Sequence, residues 1–182
     1  MKYTRLLWVC LAAMMLSGCK EKKTEQDTWT APQYETKIHK MPDYRIQNNT
    51  KMGGHTYTYE IMRTASDSLP KVKDDLDDLF ADNTIRLTIH RDGTTYFDKT
   101  FTKKVFASSM DKQFLHNSIL DGIRFVRAEA GQGLTFSFAV SYPESDMSIP
   151  FLVTIDDNGA FSFVKDDNLE AEDGFGGDDN GV

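Results

Sequence analysis

Between residues 44 and 164 apolar and polar side chains alternate with a period of two over much of the chain, the pattern of strands that bury one face. Leu134, Phe136, Phe138, Val140 and Tyr142 alternate with Thr135, Ser137, Ala139 and Ser141. Ile85, Leu87 and Ile89 alternate with Arg86, Thr88 and His90, and Arg91-Asp92-Gly93-Thr94 then turns the chain into TTYFDKTFTKKVF. Asp-Gly at such a point is a strong hairpin signal. A second hairpin is predicted from Phe151–Ile155 and Ala160–Val164 about Asp156-Asp157-Asn158-Gly159, and a third from LDGIRFVRAEA and LTFSFAVSY about Gly131-Gln132-Gly133. Tyr44–Asn48 and His55–Thr64 read as another pair, joined through Met52-Gly53-Gly54. Together these make about eight strands, mostly linked by hairpins.

Two interruptions carry a helical pattern. In KVKDDLDDLF, after Ser68-Leu69-Pro70, Leu76, Leu79 and Phe80 share a face, and the run Asp74, Asp75, Asp77 and Asp78 suits the first turns of a helix,. A second short helix is predicted from Ser109 to about Asn117, with Phe114 and Leu115 turned inward. The expected fold is all-β, an antiparallel meander of about eight strands with one or two short helices, forming a β-sandwich or, alternatively, a small lipocalin-like barrel. The inward sets are rich in Phe, including Phe101, Phe125, Phe136, Phe138, Phe151, Phe161 and Phe163. Such large rings favour a filled interior and hence the sandwich.

The ends of the chain break the alternation. Leu6 to Leu16 is an uninterrupted apolar run of eleven residues, about half of what a ~30 Å hydrocarbon core requires at ~1.5 Å per residue. Lys2 and Arg5 precede it, no acid occurs before Glu21, and the small residues Ser17 and Gly18 follow, the layout of a secretory signal peptide over residues 1–18. Residues 19–33 are charged and Thr-rich and read as a flexible tether, 34–165 as the β domain, and 166–182 as a disordered tail with seven acids and four glycines,. Loss of the signal takes the formal charge from −7 to −9, and setting the tail aside leaves the body near −2. The acidity is therefore local to the tail, which argues against nucleic acid as a partner.

Leu16-Ser17-Gly18-Cys19 resembles the lipobox of bacterial lipoproteins, in which the cysteine is acylated and becomes the first mature residue. With this motif, a short tether and a run of hairpins, the chain resembles the lipoproteins of unknown function common in Bacteroidetes-type bacteria. The resemblance implies lipidation at Cys19, attachment to the outer membrane on its periplasmic or cell-surface face, and no activity in particular. In such bacteria a Lys followed by acids after the lipidated cysteine accompanies surface display. Lys20 and Glu21 match that pattern, whereas Lys22 and Lys23 depart from it. With Cys10 in the signal and Cys19 acylated, the mature chain keeps no free thiol and no disulfide, so thiolate nucleophiles, thiolate metal sites and redox pairs are excluded together.

Little else in the sequence points to chemistry. His39, His55, His90 and His116 are scattered, without a His-x-His pair or His-Glu-x-x-His, and neither a Gly-x-Ser-x-Gly elbow nor a phosphate-binding glycine loop occurs,. No cofactor or metal is expected. Tyr57 and Tyr59 are expected to be buried. Arg86, His90, Lys99, Lys103 and Arg124 fall on expected outward faces, where pairing of neighbouring strands would make a basic binding patch able to take the acidic tail. The expected function is a non-catalytic, lipid-anchored binding or envelope-assembly module whose partner is an envelope protein or a glycan. The alternatives are a small hydrolase whose carboxylate pair forms only in the fold, from Asp92, Asp98, Asp121 or Glu129, and a lipocalin-like carrier.

Overall fold

A computed structural model of the protein describes residues 37–74 and 76–167. The expected signal, Cys19 and the tether lie outside these residues, as does the tail from residue 168 onward. The first long meander comprises β2 (Tyr44–Met52), β3 (His55–Ala65), β6 (Asn83–Arg91) and β7 (Thr94–Phe101), which form an antiparallel sheet in the order β2-β3-β6-β7. The second comprises β8 (Ile119–Glu129), β9 (Gly133–Ser141), β10 (Ser148–Ile155) and β11 (Phe161–Lys165), antiparallel in the order β11-β10-β9-β8. A third, small sheet joins the two-residue strands β1 (Ile38–His39), β5 (Leu79–Phe80) and β4 (Val72–Lys73) in that spatial order.

The hairpins follow from local chemistry. At the β6–β7 turn Arg91 pairs with Thr94, and both connecting residues, Asp92 and Gly93, have positive φ, 50° and 85°. That geometry matches the twist of the flanking strands, and an Asp-Gly pair adopts it at little cost.

Inner faces of the two four-stranded sheets supply one core. Tyr57, Tyr59, Ile61, Ile85, Leu87, Ile89, Phe97 and Phe101 come from the first sheet and Leu134, Phe136, Phe138, Val140, Phe151, Val153 and Ile155 from the second. Rings meet across the interface: Tyr59 stands edge-on to Phe136 at 5.4 Å between centroids and Phe101 lies 4.7 Å from Phe138. Both sheets keep their edges, so the fold is a sandwich with no barrel closure. A 3-10 helix (Lys103–Ser109) carries Phe106 into the interior, 4.6 Å from Phe151 and 5.1 Å from Phe163. Tyr57 and Tyr59 are buried as expected, at 2% and 5% exposure.

Five local expectations need correction. No helix forms over 71–80: the described part of the segment gives β4, a turn and β5, and Leu76 is 83% exposed. The Asp74 carboxylate accepts from the amides of Leu76 and Asp78, and Asp77 takes a φ of 66°. Short acidic side chains that bond neighbouring amides compete with the helix ladder. Second, the strand after the Asp92-Gly93 turn stops at Phe101, and Lys103–Ser109 is 3-10. Third, the predicted helix near Ser109 is confined to α1 (Lys112–Asn117), opened by Asp111, whose side chain accepts from the Phe114 amide, and buries Phe114. Fourth, β9 is covered on both faces, with Thr135, Ser137 and Ser141 buried beside the longer side chains of β8 and β10. Asp166, expected as the first residue of the tail, is buried, and its amide donates to Pro150 O.

Candidate functional site

A buried arginine organises one end of the sandwich. Period-two alternation along β3 turns Arg63 inward after Tyr57, Tyr59 and Ile61, and it is 8% exposed. Its guanidinium donates to Asp121 O and to Pro42 O, lies 3.6 Å from the Asp121 carboxylate, and stacks 4.6 Å over the Tyr44 ring. Ser141 Oγ donates to Asp121 Oδ2. These bonds tie together β3, the segment before β2, and the facing ends of β8 and β9. A buried cation needs such partners to offset its lost hydration.

Outside this knot lies an open cleft of about 750 Å³. One wall is the strip Lys37–Pro42, which includes β1, with the His39 ring stacked 4.9 Å from Phe80. The opposite wall comprises Asp121, Ser141 and the connection Tyr142–Asp146. That connection is shaped by Glu144 at a φ of 51°, by the Tyr142 amide donating to Met147 O, and by the Tyr142 ring stacked 4.7 Å from Phe114. Charge is divided between the walls: Lys37 and Lys40 stand on the first, Asp121, Glu144 and Asp146 on the second. Lys40 is also paired with Asp67 at 2.7 Å, a contact that holds the Asp67 carboxyl below its ordinary range. A cleft of this form can seat an extended segment that presents both signs of charge.

The five cations of the expected basic patch are not gathered. Arg86 and His90 share the outer face of β6, where Arg86 is bound through two nitrogens to Asp98, at 2.9 and 2.6 Å. This raises the Arg86 guanidinium and lowers the Asp98 carboxyl from their ordinary values. Lys99 is opposite Leu87 in the β6–β7 register and so faces inward, its ammonium 4.5 Å from the Phe161 ring centre. Lys103 belongs to the 3-10 helix, donates to Ser118 O and lies 3.5 Å from the buried Asp82. Burial pushes its ammonium down, with Asp82 opposing. Arg124 is exposed on β8, in the other sheet.

The four candidate carboxylates are likewise dispersed, each with its own partner. Asp92 accepts from the Thr56 amide and meets His55 Nδ1 at 2.5 Å, and these contacts, His55 first, hold its carboxyl below the ordinary range. Asp98 is bound by Arg86, Asp121 neighbours Arg63, and Glu129 lies 3.0 Å from Arg127 Nε. Asp121 and Glu129 stand near opposite ends of β8, about 27 Å apart at ~3.4 Å per residue. Among the described residues no three His, Cys, Asp or Glu side chains converge on a point that would hold a metal ion. Sequence reasoning missed Arg63, although its inward position in HTYTYEIMRTA was the available signal.

Fold and cleft define a two-sheet β-sandwich domain with an open, charge-divided groove at one end. Residues 22–163 match the family described as Domain of unknown function (DUF4738), and the chain belongs to that family. No curated protein matches it.

Proposed function

We propose that the protein is a lipid-anchored, non-catalytic binding or envelope-assembly module, attached to the outer membrane through Cys19, and that it engages an extended segment of an envelope protein in the cleft between Lys37–Pro42 and Tyr142–Asp146. The observation that carries this reading is the cleft itself, walled by opposite charges and braced from behind by buried Arg63. The ring-filled interior supports it by favouring recognition outside the sheets over a ligand within them. So does the dispersal of the candidate carboxylates, each held by a different partner, since a general acid and base work through unequal pKa values in a shared site,. Anchoring rests on the lipobox after its short apolar run, several acyl chains being sufficient to hold a protein without a spanning helix.

Two experiments test the reading. Labelled palmitate should enter the protein, and Cys19→Ala should abolish the label; a variant that still takes label refutes the anchor. Mature protein lacks other thiols once Cys10 is removed, so a cysteine on the cleft rim, Ser145→Cys, can carry a photo-crosslinker in native envelopes. It should trap a discrete adduct that Thr95→Cys, in the exposed start of β7, does not. Equal adducts from both positions, or none from the rim, would count against recognition at the cleft.

A further inference from the structure

Away from the cleft, four lysines and a histidine surround one small pocket. Lys71, Lys103, Lys104, Lys112 and His116 line a concavity of about 250 Å³ that has no acidic residue in its lining. Three elements bring them together: the approach to β4 supplies Lys71, the 3-10 helix supplies Lys103 and Lys104, and α1 supplies Lys112 and His116. Two of the lysines are fixed. Lys103 donates to Ser118 O and lies 3.5 Å from the Asp82 carboxylate, Lys71 donates to Ser66 O at 2.9 Å and lies 3.7 Å from the Asp67 carboxylate, and their side chains are only 12% and 22% exposed. Lys104 and Lys112 are exposed, and among the described residues neither has a carboxylate partner. Burial depresses the Lys103 ammonium, Asp82 opposes that, and Lys104 adds a smaller lowering. The walls between the ammonium groups are apolar, with Val72 buried and Leu115 half-buried.

Among the described residues Lys104 and Lys112 carry no counter-charge, Asp82 and Asp67 offset only part of the repulsion among the four ammonium groups, and an anion seated among them relieves the rest,. Lysine ammonium groups are compact point charges with three donors each, suited to the several oxygens of a phosphate. A carboxylate offers two oxygens and one charge to the same array. We propose that this pocket is a binding site for a phosphoryl group carried on a small apolar body, either a soluble phosphate ester or the phosphodiester headgroup of a membrane lipid. The site shares no lining residue with the cleft and does not depend on what the cleft binds.

The test uses the full chain carrying Cys19→Ala, so that acylation contributes nothing, at constant ionic strength. Calorimetric titration with inorganic phosphate and with glycerol 3-phosphate probes the soluble source. Flotation with phosphatidylcholine vesicles, with and without phosphatidylglycerol, probes the headgroup. Saturable binding in either arm should weaken about tenfold for each ammonium removed in Lys104→Ala and Lys112→Ala and should be unchanged in Arg124→Ala. Binding to the soluble anions assigns the first source, and binding confined to phosphatidylglycerol vesicles assigns the second. Absence of binding in both arms, or binding that the two lysine variants leave intact, overturns the proposal. Phosphate binding that emerges only on truncation after Asp167 also overturns it, because the pocket would then belong to the chain's own acidic tail.

Discussion

Asp82 is 2% exposed and accepts from the amides of Asn83 and Leu120, each at 2.8 Å, with the Lys103 ammonium 3.5 Å away. One carboxylate thus joins the start of β6 to the start of β8. Asp82→Ala leaves two buried amides and a half-buried ammonium without it, and should cost about 3–5 kcal/mol in denaturant unfolding. Arg86→Ala breaks a pair that lies in solvent and should cost below about 1 kcal/mol. Its clearer readout is titration. Arg86 lowers the Asp98 carboxyl in the folded state, so the pair's contribution is present above the ordinary carboxylate pKa and is lost as pH falls through the lowered one. In Arg86→Ala the carboxyl resonance of Asp98 should titrate at higher pH than in the wild type, and an unchanged midpoint would refute the pairing. None of this was legible around Ala81-Asp82-Asn83, because a buried acid between two strands looks like any turn residue until its partners arrive from 118–120.

Glycines at the hairpins separate two kinds of constraint. At Gly133, where β9 begins, φ is +101° and an added Cβ would lie 2.0 Å from Ile155 O, a backbone atom of the neighbouring β10. Gly133→Ala should destabilise by about 3 kcal/mol, from overpacking together with backbone strain. Two residues earlier Gly131 has a φ of +79° and open space around it, so Gly131→Ala should cost only about 1–2 kcal/mol. Thermal unfolding of the two variants side by side checks the ranking. The long strands were legible because nine or so residues of alternation leave a period to read, and Asp-Gly marked the β6–β7 turn. The two-residue strands β1, β4 and β5 carry no period, and the spacing of Leu76, Leu79 and Phe80 mimicked a helix. Local bonding by Asp74 decided otherwise. Lys99 was misplaced on the outward face although it shares the parity of Phe97 and Phe101, and alternation alone puts all three on the inward face of β7,.

At the scale of the molecule, the two sheets are closed over aromatic rings. Phe138 is fully buried and touches rings from β7 and the 3-10 helix, Phe101 at 4.7 Å and Phe106 at 5.5 Å. Phe138→Ala should cost about 3–5 kcal/mol. Titration with fluorescent fatty acids should give no saturable one-to-one binding, and a low-micromolar complex would contradict the packed interior. The cleft escaped the sequence because its lining is drawn from residues 37–42, 80, 119, 121 and 141–146, which share no motif and are brought together by the knot at Arg63, the β1–β5 pairing and the β8–β9 ladder. By contrast, all strands of the first four-stranded sheet precede those of the second, with β4 and β5 of the small sheet between β3 and β6, and the chain passes from one four-stranded sheet to the other once, through residues 102–118. The protein is thus divisible. Cut between Met110 and Asp111, it would yield two fragments that each hold every strand of one sheet and expose the apolar face the other fragment covers. Neither half could stay folded alone in water, and mixing them should restore a single cooperative unfolding transition, the behaviour of a split protein whose halves recognise each other through their cores.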